Sequence, residues 1–476
     1  MRKESILRHL GFIFLFQAVF MLVSLIISIV GKETSIIPLL FSFTTATVFG
    51  AMFVLFTSPV DEVSFNEGIS TVVFGWLFTC LLGALPYLLW GGEFTLANAL
   101  FESVSGFTTT GSTVLNNIEG LPKGLLFFRS STHWMGGIGI ILFVLLILPQ
   151  SKSKFVLLNA EFSSLSQTNF NQNKQQVLRI LGYVYIGLTV AQTLALWIAG
   201  MSLFDAINHS FATIATGGFS TKNMSVAAFD SPTIEIIIMI FMVLSGIHFG
   251  LLFTTIVLRK QNLFTSSMSR AFLIVLGVGI VIVSLKLYFS GFYDLPNAFR
   301  FGAFQVISVG TTTGFATADS AGWPPLAMII IMYFTIQCGM VGSTSGGLKF
   351  DRVFLFFKVL KRQILQTLHP RLVMVPKVDN TRISEDVISQ TQVFIVLYVL
   401  IFFSCTLILT AFDIDLLTAF SASIATLGNV GPGFEGVSSL GNFGNLPDGA
   451  KYVLSVNMLM GRLEIFNILA LFFYKE

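Results

Sequence analysis

Ten stretches of nearly uninterrupted apolar residues run along the chain, near positions 10–30, 36–56, 70–90, 125–148, 178–199, 233–257, 271–290, 324–341, 391–411 and 452–473. Each approaches the roughly 20 residues a helix needs to cross a bilayer. Shorter mixed segments, Phe94–Gly106, Leu203–Thr213, Leu295–Val309 and Ile414–Thr426, precede the fourth, sixth, eighth and tenth stretches. They are too short to span and suit re-entrant half-membrane helices, since non-helical backbone at membrane depth survives only when buried in protein or lining water. The pattern predicts an all-α membrane protein. Two N-terminal helices (1–60) lead into four repeats of helix, short helix, loop and helix (61–150, 151–258, 259–362 and 363–476), arranged pseudo-fourfold about one axis.

Each short segment ends in small residues centred on glycine: Ser105-Gly-Phe-Thr-Thr-Thr-Gly111, Phe211-Ala-Thr-Ile-Ala-Thr-Gly217, Ser308-Val-Gly-Thr-Thr-Thr-Gly314 and Ala425-Thr-Leu-Gly-Asn-Val-Gly431. The interval of about a hundred residues is too long for a solenoid and fits a membrane unit. Glycine tolerates the positive φ that turns successive carbonyls to one side, and its missing side chain lets four backbones converge. Threonine adds an uncharged hydroxyl. Four such loops can close a ring of oxygens that replaces the water of a monovalent cation. The plainer alternative is that these are Gly/Ser/Thr packing motifs between membrane helices; four copies in register argue against it. On the ring reading the ion ligands are Thr109, Thr110, Gly111, Ala215, Thr216, Gly217, Thr312, Thr313, Gly314, Asn429, Val430 and Gly431.

Composition narrows the class further. The chain is 54% hydrophobic and only 11% charged, against about 25% charged in soluble domains. Three cysteines lie far apart in apolar runs and imply no disulfide framework. The basic start, Met1 to Arg8, precedes an apolar run without a cleavage site and reads as a retained anchor. Lysines and arginines gather in the joints 149–177, 258–270 and 349–390, which places those joints and both termini in the cytoplasm. Asp61, Glu62 and Glu67 run against that trend, but acids weigh little in it.

With these motifs the chain resembles the bacterial Trk/Ktr/HKT superfamily of potassium transporters, in its TrkH/TrkG branch. The likeness covers the whole chain. It rests on the four loops, on Arg129-Ser-x-x-x-Trp134-x-Gly-Gly-x-Gly139, on Gly342-Ser-Thr-Ser-Gly-Gly347-Leu-Lys349 and on Gly461-Arg-Leu-Glu-Ile-Phe466. The resemblance implies one ion pore, K⁺ as the transported ion, location in the bacterial inner membrane, a homodimer, and TrkA-type regulatory subunits with RCK domains on the cytosolic face. The basic segment Lys349–Arg382 is a candidate docking surface for them, or simply a solvated loop. Within the superfamily, serine at the first loop glycine accompanies sodium transport; glycine at 111, 217, 314 and 431 therefore implies potassium. A sodium-permeable or ion-coupled symporter of the same fold is the alternative. Nothing suggests a nucleotide bound by this chain, or nucleic acid.

Below the third loop, Gly342, Ser343, Thr344, Ser345, Gly346 and Gly347 interrupt an apolar run. Glycine costs a helix about 1 kcal/mol per residue, so the helix should break there. A phosphate loop is excluded, because the lysine is displaced and Phe350 follows where a hydroxyl is needed. Close helix packing is one reading; an intramembrane gate, as the family implies, is the other. Arg462 falls near the middle of the last run, where a charge costs at least about 2.5–3.5 kcal/mol against lipid. It is expected to line the inner cavity, repel a passing cation and pair with the gate loop, rather than bridge to Glu464. Arg129 reads as an anchor for the outer end of its helix, against the short helix before it or against Glu102. Asp205 and Asp413 read as caps or first-turn acids, and the five histidines show no ligand spacing. An intramembrane hydrolase would need a nucleophile and base that Ser131 and His133 cannot form. A solute carrier with broken helices predicts mixed side chains rather than four matched loops.

Overall fold

The computed structural model describes residues 3–58, 64–147, 174–258, 263–371, 374, 376–379 and 381–472. Lys152, Lys154, Arg259 and Lys260 of the basic joints lie outside them, as do Asp61 and Glu62. The described chain is mostly helical. Two helices, α1 (Lys3–Gly31) and α2 (Ile36–Leu55), pair along their length. Gly11 and Gly50 allow the close approach, each meeting the other's helix where a Cβ would stand.

The first unit is α3 (Phe65–Trp90), the short α4 (Leu96–Phe107) and α5 (Lys123–Ile147). A capping box starts α3, Ser64 and Glu67 each accepting from the other's backbone N–H. The second is α6 (Lys174–Ile198), α7 (Leu203–Ile214) and α8 (Pro232–Gly246) with its continuation α9 (Phe249–Phe253). The third is α10 (Ser267–Phe289), α11 (Leu295–Gly310) and α12 (Pro325–Ile336), followed by α13 (Phe350–Leu368) and a small hairpin, β1 (Lys377–Val378) with β2 (Thr381–Arg382). The fourth is α14 (Glu385–Thr410), α15 (Leu416–Leu427), α16 (Asp448–Arg462) and α17 (Ile465–Phe472).

Among the described residues six helices are long and apolar enough to cross a membrane. The bent pair α8–α9 turns through 108° at Ile247–His248 and makes a seventh if it is counted as one span. Two expected single spans are thus broken, 233–257 at that bend and 452–473 at Leu463–Glu464, where Glu464 takes φ 59°; the break expected at the glycine run begins earlier, after Ile336. Hydropathy averages over a window and does not register a two-residue break.

Packing closes a cycle. Each unit's last helix leans on the next unit's short helix: α5 on α7, α8 on α11, α12 on α15, and α16 back on α4. Part-buried polar pairs pin two of these contacts. Arg300 of α11 bonds Glu235 of α8 at 2.8 Å, and Lys451 of α16 donates to Asn98 of α4 at 2.7 Å. Asp205 is a first-turn acid of α7, as expected, and accepts from Thr221 at 2.6 Å. Asp413 is not a cap. It lies ahead of α15 at φ 59°, and Asp415 caps that helix by accepting from Thr418 N–H.

Candidate functional site: four loops around one axis

The four short helices end alike. In each, the residue after the C-cap adopts the left-handed conformation: Thr109 (φ 53°), Thr216 (φ 54°), Thr312 (φ 61°) and Asn429 (φ 52°). The following N–H then reaches back five residues, Thr110 to Ser105, Gly217 to Ala212, Thr313 to Ser308 and Val430 to Ala425, at 2.8–2.9 Å. This is the Schellman arrangement, which satisfies helix-end carbonyls and turns the chain sharply. A β-branched residue held left-handed costs about 1–3 kcal/mol and persists only where its surroundings enforce it. Two residues further on comes a glycine with positive φ: Gly111 (84°), Gly218 (79°), Gly314 (81°) and Gly431 (100°).

That repeat corrects the register. The equivalent of Gly111, Gly314 and Gly431 is Gly218, not Gly217, because α7 ends at Ile214 and its left-handed residue is Thr216. Gly217 occupies the place of Thr110, Thr313 and Val430.

The glycines also show how the loops meet. A Cβ on Gly111 would collide with the carbonyl of Gly217, one on Gly218 with that of Thr313, one on Gly314 with that of Val430, and one on Gly431 with that of Thr110. Each loop's glycine therefore faces the preceding residue's carbonyl in the next loop, and the fourth returns to the first. Four symmetric approaches of this kind place the loops around one axis. The short helices aim their C-terminal ends at it, and each such end favours a cation by about 0.3–1 kcal/mol. The hydroxyls of Thr109 and Thr312 and the Oδ1 of Asn429 are buried with no hydrogen-bond partner among the described residues. An open cavity caps the ring, lined by Gly111, Gly218, Gly314 and Gly431 with Ser112, Arg129 and Lys222. Such an arrangement can offer uncharged oxygens to a dehydrated monovalent cation entering from that cavity.

Arg129 holds the ring from behind. It bonds Glu102 at 2.6 Å, both groups buried, donates to the Ser220 carbonyl at 2.9 Å and lies 3.5 Å over the Phe219 ring. Glu102 also accepts from Thr113 and from Val114 N–H. One ion pair thus fixes the exits of the first and second loops.

On the ring's other side, the stretch from Gln337 to Lys349 leaves helical geometry and crosses beneath the loops. Thr344 donates to the Ile214 carbonyl at 2.9 Å, and Gly346 leaves room for the Asn429 side chain, which a Cβ there would strike. The stretch returns on itself through Cys338 N–H to Leu348 O and Phe350 N–H to Gly339 O. Ser343 and Ser345 hydroxyls share a hydrogen bond of 2.7 Å, and Lys349 Nζ binds the Ser345 carbonyl and hydroxyl. Gly342 (φ 74°) and Gly347 (φ 58°) turn its corners.

Arg462 differs from the expectation in one respect and meets it in another. It is the last residue of α16, not the middle of a span, and it is buried at 2% exposure rather than facing open water. Its guanidinium donates to the Thr344 carbonyl at 2.6 Å and the Gly136 carbonyl at 2.9 Å. It therefore does grip the crossing stretch. Glu464 bonds Arg352 at 2.7 Å instead. The basic segment Lys349–Arg382 is also less available than its composition implies. Lys349 is buried, Arg352 and Arg362 are paired with Glu464 and Glu385, and Lys358 donates to the Lys377 carbonyl. Sequence reading missed Glu235–Arg300 and Lys451–Asn98, although isolated charges inside apolar runs are a signal that partners exist.

A ring of backbone oxygens at the centre of a bundle of membrane-length helices defines a membrane transport protein for small cations, not an enzyme. The comparisons agree: the family model for TrkH, described as "Cation transport protein", matches residues 37–476, and the chain belongs to that family. The Trk system potassium uptake protein TrkH of Salmonella typhimurium is 39% identical over 87% of each chain. TrkG of Escherichia coli is 31% identical over 97% of this chain and 96% of its own. The crystal structure of the potassium transporter TrkH from Vibrio parahaemolyticus superposes with a TM-score of 0.90 at 34% identity, covering 99% of this chain and 98% of that one.

Proposed function

We propose that this chain takes up potassium across the bacterial inner membrane through a gated, K⁺-selective pore. The observation that carries the reading is the closed cycle in which the carbonyls of Thr110, Gly217, Thr313 and Val430 each face a neighbouring loop's glycine. Thr109, Thr110, Gly111, Ala215, Thr216, Gly217, Thr312, Thr313, Gly314, Asn429, Val430 and Gly431 form the filter, and Gly218 joins them. The relatives' names, potassium uptake proteins of the Trk system, support K⁺ as the substrate.

Potassium sheds its water at the mouth and passes from oxygen to oxygen, drawn inward by about 2.3 kcal/mol per 100 mV. The stretch Gly342, Ser343, Thr344, Ser345, Gly346 and Gly347 blocks the path below the filter, and Arg462 holds it there while its charge opposes a cation. For flow to begin, the bond from Arg462 to Thr344 must break. The four repeats divide at 61–150, 151–258, 259–362 and 363–476, with termini and basic joints in the cytoplasm. A homodimer with cytosolic nucleotide-binding subunits of the TrkA type completes the system. The test is complementation of a potassium-uptake-deficient bacterium at low external potassium, with and without a co-expressed regulator. Growth in at least the co-expressed case is expected; absence of growth in both, with the protein in the membrane, contradicts the proposal.

A further inference from the structure

The face of α5 that backs the loops carries one side chain whose place nothing above explains. His133 is fully buried. Both of its ring nitrogens lack a hydrogen-bond partner among the described residues. An imidazole always carries at least one N–H, and leaving a buried donor unpaired costs about 1–3 kcal/mol. The ring is therefore held by shape. It lies 4.1 Å, edge to face, from Phe219, and a Cβ built on Gly217 would overlap its Nδ1, Cε1 and Cγ. Gly217 does not have the positive φ of Gly111 or Gly218. Its lack of a side chain is demanded by the imidazole and not by its backbone.

The neighbours on α5 do not share this contact. Gly136 approaches the Phe107 carbonyl, Gly137 approaches Ala215, and Thr132 approaches Gly106. These residues meet the ends of the short helices or the cap. His133 meets the residue whose carbonyl faces Gly111. If the filter reading above is right, on which this inference rests, that carbonyl is one of four that set the width of the ring.

We propose that His133 is a specificity-determining positioning residue: its imidazole is a stop behind Gly217 that fixes how far the second loop's carbonyl stands from the axis. Discrimination between potassium and the smaller sodium is a difference between two affinities. A loop free to retreat or twist offers both ions an adaptable cage, and the difference shrinks. The stop acts through contact, so a side chain of similar bulk without nitrogens should serve.

The experiment measures K⁺ and Na⁺ flux for the full-length protein in proteoliposomes, beside thermal stability of each purified variant. His133→Ala is expected to lower the K⁺ over Na⁺ preference roughly tenfold, equivalent to about 1.4 kcal/mol, while flux continues. His133→Leu, close in volume, keeps the preference. Gly217→Ala alone suppresses flux of both ions, and His133→Ala with Gly217→Ala regains it because the new methyl occupies the vacated space. Wild-type preference in His133→Ala overturns the proposal, as does lost preference in His133→Leu or a Gly217→Ala defect indifferent to residue 133. Gly111→Ser serves as the control. If it relaxes selectivity while His133→Ala does not, this inference alone falls; if neither does, the filter reading falls.

Discussion

Threonine is poorly suited to left-handed backbone, yet Thr109, Thr216 and Thr312 all adopt it, with Asn429 in the fourth place. The geometry is imposed by the helix-end hydrogen bonds and by crowding around the axis, and it fixes which glycine does what. Gly218, at φ 79° and against the Thr313 carbonyl, should respond as Gly111 and Gly314 do. Gly218→Ser and Gly314→Ser are each expected to relax the K⁺ over Na⁺ preference in flux assays. An unaltered preference in Gly218→Ser alone would return the register to Gly217. The threonine-glycine pattern of the four loops was legible in the residues. The register of the second loop was not, because Ala215-Thr216-Gly217-Gly218 offers two adjacent glycines and only the end of α7 decides between them. Arg462 is similar: its need for partners follows from its apolar surroundings, whereas the break just after it depends on Glu464 turning left-handed.

At the scale of elements, the broken helices gather on one side of the ring. The α8–α9 bend, the unwound stretch after α12 and the end of α16 all lie beneath the four loops, where the first is joined to the second by Met340 N–H to Gly246 O and Phe249 N–H to Gly342 O. Shortening Ser343–Ser345, or Arg462→Ala, removes the Thr344 contacts and should raise flux severalfold at unchanged selectivity. Altered selectivity would instead place these residues in the filter. The glycine run announced one of these breaks in advance. The others carry a weaker signal: Ser245-Gly246 and His248 flank Ile247, and Leu463 sits between Arg462 and Glu464, short interruptions that the apolar runs around them outweigh.

Across the whole molecule, each unit's last helix supports the next unit's short helix, so the ring is only as firm as the cycle of contacts around it. The Arg129–Glu102 pair is the most buried of its staples. Removing one partner of such a pair typically costs about 3–5 kcal/mol. Glu102→Gln should therefore lower the melting temperature of the purified protein clearly, whereas Asp448→Asn, at the exposed end of the Lys451 contact, should leave it nearly unchanged. Equal effects would mean that the pair does not brace the ring. The two leading helices, the four units and their order were all readable from hydropathy. The pseudo-fourfold closure was readable from the four matched loops; the pairs that secure it were not, because they join residues such as Asn98 and Lys451 that stand at opposite ends of the chain.

The most direct measurement is the reversal potential of the current carried by the Ser343–Ser345-shortened protein in a planar bilayer with potassium on one side and sodium on the other. The account predicts a reversal potential near the potassium equilibrium value, moving toward zero when Gly111→Ser is added. Current that reverses near zero in the shortened protein itself, or that ignores Gly111→Ser, would contradict it.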